Sequence, residues 1–226
     1  MRSSTKLKLA YLGLAATDTW LSGNPHRWAH RARFVTKPLL MPTLAGSLAT
    51  NPRAADSPLR ASTLAGQAGG WGGDVALLGE GMGPFLAGTG SFAVGHVAYL
   101  TGFLRHRSST PVVTSSGARA VAASWVATAP VMALLARRQH RELGGPVFGY
   151  ATMLAAVVAS STHLDPALSP ASRRLSAAGA GMFMLSDTLL GVRKFVLTDP
   201  PAGLETAVMA TYTAAQFLLS EGAARA

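Results

Sequence analysis

The chain alternates apolar runs of about bilayer-crossing length with short clusters of arginine and lysine, and this alternation leaves few folds open. Arg27, Arg31, Arg33 and Lys37 form one cluster. Arg105 and Arg107, Arg137, Arg138 and Arg141, Arg173 and Arg174, and Arg193 and Lys194 form others. Only 13% of the residues are charged, about half the usual share of a soluble domain. A soluble helical bundle is disfavoured as well, because runs such as 151–160 and 204–219 show no polar stripe at helical spacing. The reading is an all-α, polytopic membrane bundle of about eight transmembrane helices, in one domain over 1–226. The expected segments are 7–22, 37–50, 62–79, 84–104, 112–136, 144–162, 172–192 and 203–221.

The formal charge of +10 does not point to nucleic acid. A nucleic-acid module gathers its basic residues on one face; here they fall between apolar runs, where anionic lipid headgroups meet them. Membrane lipids are therefore the expected partners, and nucleic acid is not. The chain has no cysteine, which removes disulfides and Cys-based zinc sites. The run after Lys6 and Lys8 resembles a signal peptide, but Asp18 interrupts it and no small-x-small cleavage site follows. It is read as a retained first helix, with a cytoplasmic N-terminus, in a bacterial inner membrane. Nothing in the sequence indicates an oligomeric state.

Ionisable groups at membrane depth are costly and usually functional. Asp18, Asp74, His96, Asp187 and Glu205 remain once the loop charges are set aside. Asp18 is expected to lie close enough to the surface to be solvated, outside catalysis. Asp74 follows Gly72-Gly73, where a second helix or a ligand can approach closely; the alternative is a structural acid paired with a loop arginine. Asp187 precedes Arg193 and Lys194, so a pair with Arg193 competes with a functional role. His96 shares a helix face with Tyr99, and Tyr212 shares one with Gln216; core hydrogen bonding competes with ligand binding for all four. Lys37 opens the second segment at headgroup level, either snorkelling or touching a lipid phosphate. His26 and His30 are read as a solvated loop pair, and no metal is expected. The glycines at 79–83 lack a preceding strand, so they are not a nucleotide fingerprint. No serine nucleophile elbow is present.

Five stretches in order, Lys37–Pro42, Gly73–Leu78, Phe92–Tyr99, Gly181–Leu190 and Val208–Gln216, resemble the successive signatures of the YhhN family of lysoplasmalogenases. The resemblance runs from about residue 30 to residue 220. It implies an eight-helix membrane protein that hydrolyses the vinyl ether bond of lysoplasmalogens, an ether lysophospholipid substrate, without a cofactor. It also implies that Asp74 and Asp187 are the catalytic pair. The division of roles read here has Asp187 donating the proton and Asp74 steadying the cation and orienting water, with the reverse assignment left open. Lys37, His96, Tyr99, Tyr212 and Gln216 would bind substrate or water. The competing classes are a small transporter, for which the sequence offers no paired repeat, and a lipid-binding membrane protein without turnover.

Overall fold

The computed structural model describes residues 2–226, and among these it contains eight α-helices and no strand. They are α1 (Ser3–Ser22), α2 (Arg27–Ala49), α3 (Arg60–Ala76), α4 (Met82–Arg105), α5 (Ser116–Gln139), α6 (Gly144–Ser161), α7 (Pro170–Phe195) and α8 (Ala202–Ala223). Each expected apolar segment corresponds to one of them. Sequential pairs pack as antiparallel hairpins: α1 on α2, α3 on α4, α5 on α6, α7 on α8. Contacts of α2 with α3, α4 with α6, α6 with α7 and α8 with α1 close seven helices into a ring. α5 stands outside it, against α6.

The helix starts are chemically marked. Ser115 Oγ accepts the Ala118 amide at 3.3 Å and Ser169 Oγ the Ser172 amide at 3.0 Å, the usual service of an N-cap serine to orphan amides. α2 begins ten residues earlier than expected. Its basic opening, read as a loop, is helical because Ala and Arg are good helix formers and His30 stacks edge-on against Phe34, four residues on, at 5.4 Å. His26 immediately precedes the helix and His30 lies within it, so they are not a loop pair. Pro38 and Pro42 lie inside α2 rather than at its end. Pro42 has no amide to offer the carbonyl four residues back, and the Trp71 indole N–H of α3 takes that freed Pro38 carbonyl at 3.0 Å.

α3 presents a flat glycine face to α4. A Cβ on Gly69 would lie 2.5 Å from the Gly95 amide nitrogen. Cβ atoms on Gly66 and Gly73 would each sit 2.4 Å from the rings of Tyr99 and Phe92. This close antiparallel contact fixes where Phe92, Tyr99 and the neighbouring Asp74 point.

Three stretches are long and apolar enough to cross a membrane: α5, the run Arg141–Ser161 that contains α6, and α7. The others fall short for local reasons. α3 has only 17 residues, five glycines and His96 dilute α4, and α2 carries four basic residues. Large apolar side chains nevertheless face outward while several polar ones are enclosed with the apolar core. Val94 is 67% exposed, Trp20 60% and Val126 63%, while Asp18, Gln67 and Gln216 are 0% exposed.

Candidate active site between α2, α3, α7 and α8

A cavity of about 500 Å³ opens at one end of the bundle, between the α1–α2, α3–α4 and α7–α8 turns. Both Asp74 and Asp187 line it, as do Lys37 and Tyr212. The two acids, far apart in the chain, therefore share one space.

Asp74 sits near the end of α3, fully enclosed. Its Oδ2 accepts the Tyr212 hydroxyl of α8 at 2.7 Å. Its Oδ1 lies 3.8 Å from the Lys37 ammonium. Lys37 is thus not at a headgroup surface. The early start of α2 places it mid-helix, where it is buried against Asp74. A buried cation needs such a partner.

Asp187 is half-buried on α7, and its Oδ2 accepts the Tyr150 hydroxyl of α6 at 2.5 Å. No cation lies within ion-pair distance of it among the described residues. Arg193 turns instead to Glu205, at 3.1 Å. Tyr150 was missed by the sequence reading. Its only signal was a phenol that shares the otherwise apolar run 146–158 with Thr152, with nothing to say that it faces α7.

His96, Tyr99 and Gln216 do not line the cavity; they form the wall behind it. His96 Nδ1 lies 2.8 Å from the Phe92 carbonyl and must donate to it, and the ring stacks edge-on against Phe183 at 4.5 Å and Tyr150 at 5.6 Å. The Tyr99 hydroxyl donates to Gln216 Oε1 at 2.7 Å. Their expected direct contact with substrate or water gives way to support. Phe92 and Phe183, packed edge-on against Tyr212 at 5.7 and 5.5 Å, carry that support to the acid-bearing helices.

Asp18 corrects another expectation. It is wholly buried, accepting the Thr36 hydroxyl at 2.6 Å, with the Arg33 guanidinium 3.4 Å away. Arg33 also reaches Glu205 at 3.4 Å. The chain Asp18–Arg33–Glu205–Arg193 ties α1, α2, α8 and α7 together, and its last three members line the cavity. No three His, Asp or Glu side chains converge as metal ligands among the described residues.

A second space, a mostly apolar cleft of about 210 Å³, runs between α4, α5, α6 and α7. Leu86, Trp125, Met132, Leu154 and Phe195 are among its walls. Six side chains belong to both spaces: Leu77, Phe85, Phe92, Asp187, Leu190 and Lys194. Asp187 thus stands where a polar cavity meets an oily cleft. A carboxyl so placed can act on the junction of an amphiphile, with the polar end on one side and the chain on the other.

Comparison with curated proteins and with solved structures finds no match. Comparison with family models does: the model of the YhhN family matches residues 32–223, which takes in every side chain of the cavity described above except those of the α1–α2 turn and His30. The chain belongs to the YhhN family.

Proposed function

We propose that the chain is a membrane-embedded hydrolase that cleaves the vinyl ether bond of lysoplasmalogens, releasing a fatty aldehyde and a glycerophospho-headgroup product. The observation that carries this reading is Asp187 at the common wall of the polar cavity and the apolar cleft. A lysolipid has one chain and one headgroup, and its ether bond lies between them.

In this reading all eight helices cross the bilayer. The many large apolar side chains exposed on the helices support it, since a soluble monomer rarely exposes large apolar patches. Trp20 and Trp28, both exposed and tilted together at 5.7 Å, flank the α1–α2 turn at the cavity mouth. Paired tryptophans at that level suit the membrane–water interface.

The chemistry follows from the bond. The slow step in vinyl ether hydrolysis is protonation of the β-carbon. Asp187, whose hydrogen-bond partner is a phenol rather than a cation, delivers that proton. The α-carbon becomes an oxocarbenium ion, and water adds to it. Asp74, with the Lys37 ammonium 3.8 Å away, serves as the carboxylate that steadies the cation and takes a proton from the water. The hemiacetal collapses to aldehyde and alcohol, and the proton taken up by Asp74 returns to Asp187 across the cavity that both line, so one water is consumed and both acids are restored. Water is the only co-reactant, and no cofactor is required. General acid and base assistance are each worth on the order of 10²–10⁴-fold.

The test uses purified Asp74→Asn and Asp187→Asn in detergent, with folding checked by circular dichroism and gel filtration. Aldehyde release from a 1-alkenyl lysophospholipid should fall by at least about 10²-fold in each. Wild-type rates in both folded variants would remove the mechanism. A wild-type protein that releases no aldehyde but moves the lipid between vesicles would favour a carrier instead.

A further inference from the structure

Five basic side chains line the polar cavity: His30, Arg33, Lys37, Arg193 and Lys194. Three of them are neutralised by carboxylates. Arg33 has Asp18 and Glu205, Lys37 has Asp74, and Arg193 has Glu205. His30 packs against Phe34. Lys194 is the one permanent cation of the cavity with no carboxylate within ion-pair distance among the described residues. It is solvent-exposed, and its ammonium rides over the Phe85 ring at 5.0 Å. Phe85, like Lys194 itself, belongs to both the cavity and the cleft.

Its position relative to Asp187 has a useful length. Seven residues separate them on α7, two turns of helix, so both project from one face. At a rise of 1.5 Å per residue, about 10 Å separates them along the axis. In a 1-alkenyl lysophospholipid, seven bonds lead from the vinyl β-carbon through the ether oxygen and glycerol to phosphorus. An extended chain advances about 1.2 Å per bond, so this span is about 8 Å. Adding the reach of a side chain at either end, a lipid with its vinyl ether at Asp187 brings its phosphate to Lys194.

We infer that Lys194 anchors the phosphodiester of a lysophospholipid headgroup, and so sets the preference of the site for phospholipid over neutral ether lipid. The inference rests on the lipid-hydrolase reading and names its headgroup contact. It moves the phosphate from Lys37, which is occupied by Asp74, to the rim of the cavity. The Phe85 ring holds the Lys194 stem in place without neutralising it, as a cation–π contact does.

The test reads binding, so it does not depend on turnover. A 1-O-alkyl lysophosphatidylcholine has a saturated ether and cannot be hydrolysed by this route. Its affinity for the full-length protein in detergent is compared with that of 1-O-alkylglycerol, which shares the chain and lacks the phosphate. Lys194→Gln should weaken the phospholipid about tenfold, the size of one charge-assisted hydrogen bond, and leave alkylglycerol within about twofold. Lys194→Arg should retain most of the phospholipid affinity. Unchanged phospholipid binding in Lys194→Gln, or an equal loss for both lipids, overturns the inference. Competition by inorganic phosphate separates the sources of the anion: millimolar phosphate should displace little lipid, and full displacement would make Lys194 a simple anion site. Aldehyde release by the wild-type protein from the vinyl ether substrate is measured alongside. Its absence refutes the hydrolase reading without changing what the binding ratios say about Lys194.

Discussion

Two tyrosines hold neighbouring parts of the site by similar bonds, yet removing their hydroxyls should have opposite consequences. Tyr150 donates to Asp187 at 2.5 Å, at a carboxyl that opens onto the cavity. Tyr99 donates to Gln216 at 2.7 Å, where both residues are enclosed and neither lines the cavity. In Tyr150→Phe the acid loses the group that orients it, while solvent in the cavity can still reach its oxygens. A hydrogen bond to a charged partner is worth about 1.5–3 kcal/mol. Lost from the transition state alone, that lowers kcat by about 10–150-fold with little change in KM. The thermal midpoint should stay within about 2 °C of wild type. In Tyr99→Phe, Gln216 Oε1 loses its donor, and its Nε2 already has no protein partner. Leaving a buried acceptor unpaired costs about 1–3 kcal/mol, or about 2–4 °C of thermal midpoint per kcal/mol in a chain of this size. Activity per folded molecule should fall little. The assay is steady-state aldehyde release beside thermal denaturation in the same detergent. A Tyr150→Phe protein that loses only stability, or a Tyr99→Phe protein that loses only kcat, would refute the division between catalytic positioning and wall.

Gly191 faces the cleft, where an added Cβ would stand 2.7 Å from the flexible tip of Met132. Gly191→Phe should therefore block the chain's path and shift kcat/KM towards short chains by about 10-fold or more, read by competition between substrates of different chain length. Gly69→Ala pushes a methyl against the Gly95 backbone rather than a movable side chain. It should cost about 1–3 kcal/mol by overpacking, seen as a lower thermal midpoint. Glu205→Gln strips Arg193 of its partner and leaves Arg33 only Asp18. The pair is partly exposed, so the loss should be about 1 kcal/mol or less in low salt and shrink as salt is raised.

The helices were legible because apolar runs of this length have few alternatives. Each expected segment overlaps one helix, and in all but α2 the centres agree to within a few residues. The exception, α2, has a physical cause. Its basic first turns were judged by charge, whereas helix propensity and the His30–Phe34 contact decide them. That shift also misplaced Lys37, which moved from an expected surface to the partner of Asp74. The two acids were found because a carboxyl in an apolar run is costly enough to demand a reason. Asp18 met the same criterion, but its partners Arg33 and Thr36 lie on another helix and left no local mark. The same limit hid Tyr150, and it hid the fact that His96, Tyr99 and Gln216 support the cavity rather than line it. Spacing tells which residues share a helix face; it does not tell which helix that face meets.

The central claim, proton delivery from Asp187 to the carbon of an enol ether, leaves an isotopic record. The purified protein is incubated with a 1-alkenyl lysophospholipid in heavy water, the aldehyde is reduced to the alcohol as it forms, and its mass is measured. The account predicts one deuterium on the carbon next to the former carbonyl, in a product that disappears with folded Asp187→Asn. An aldehyde that carries no such deuterium, or that forms equally fast without Asp187, would contradict it.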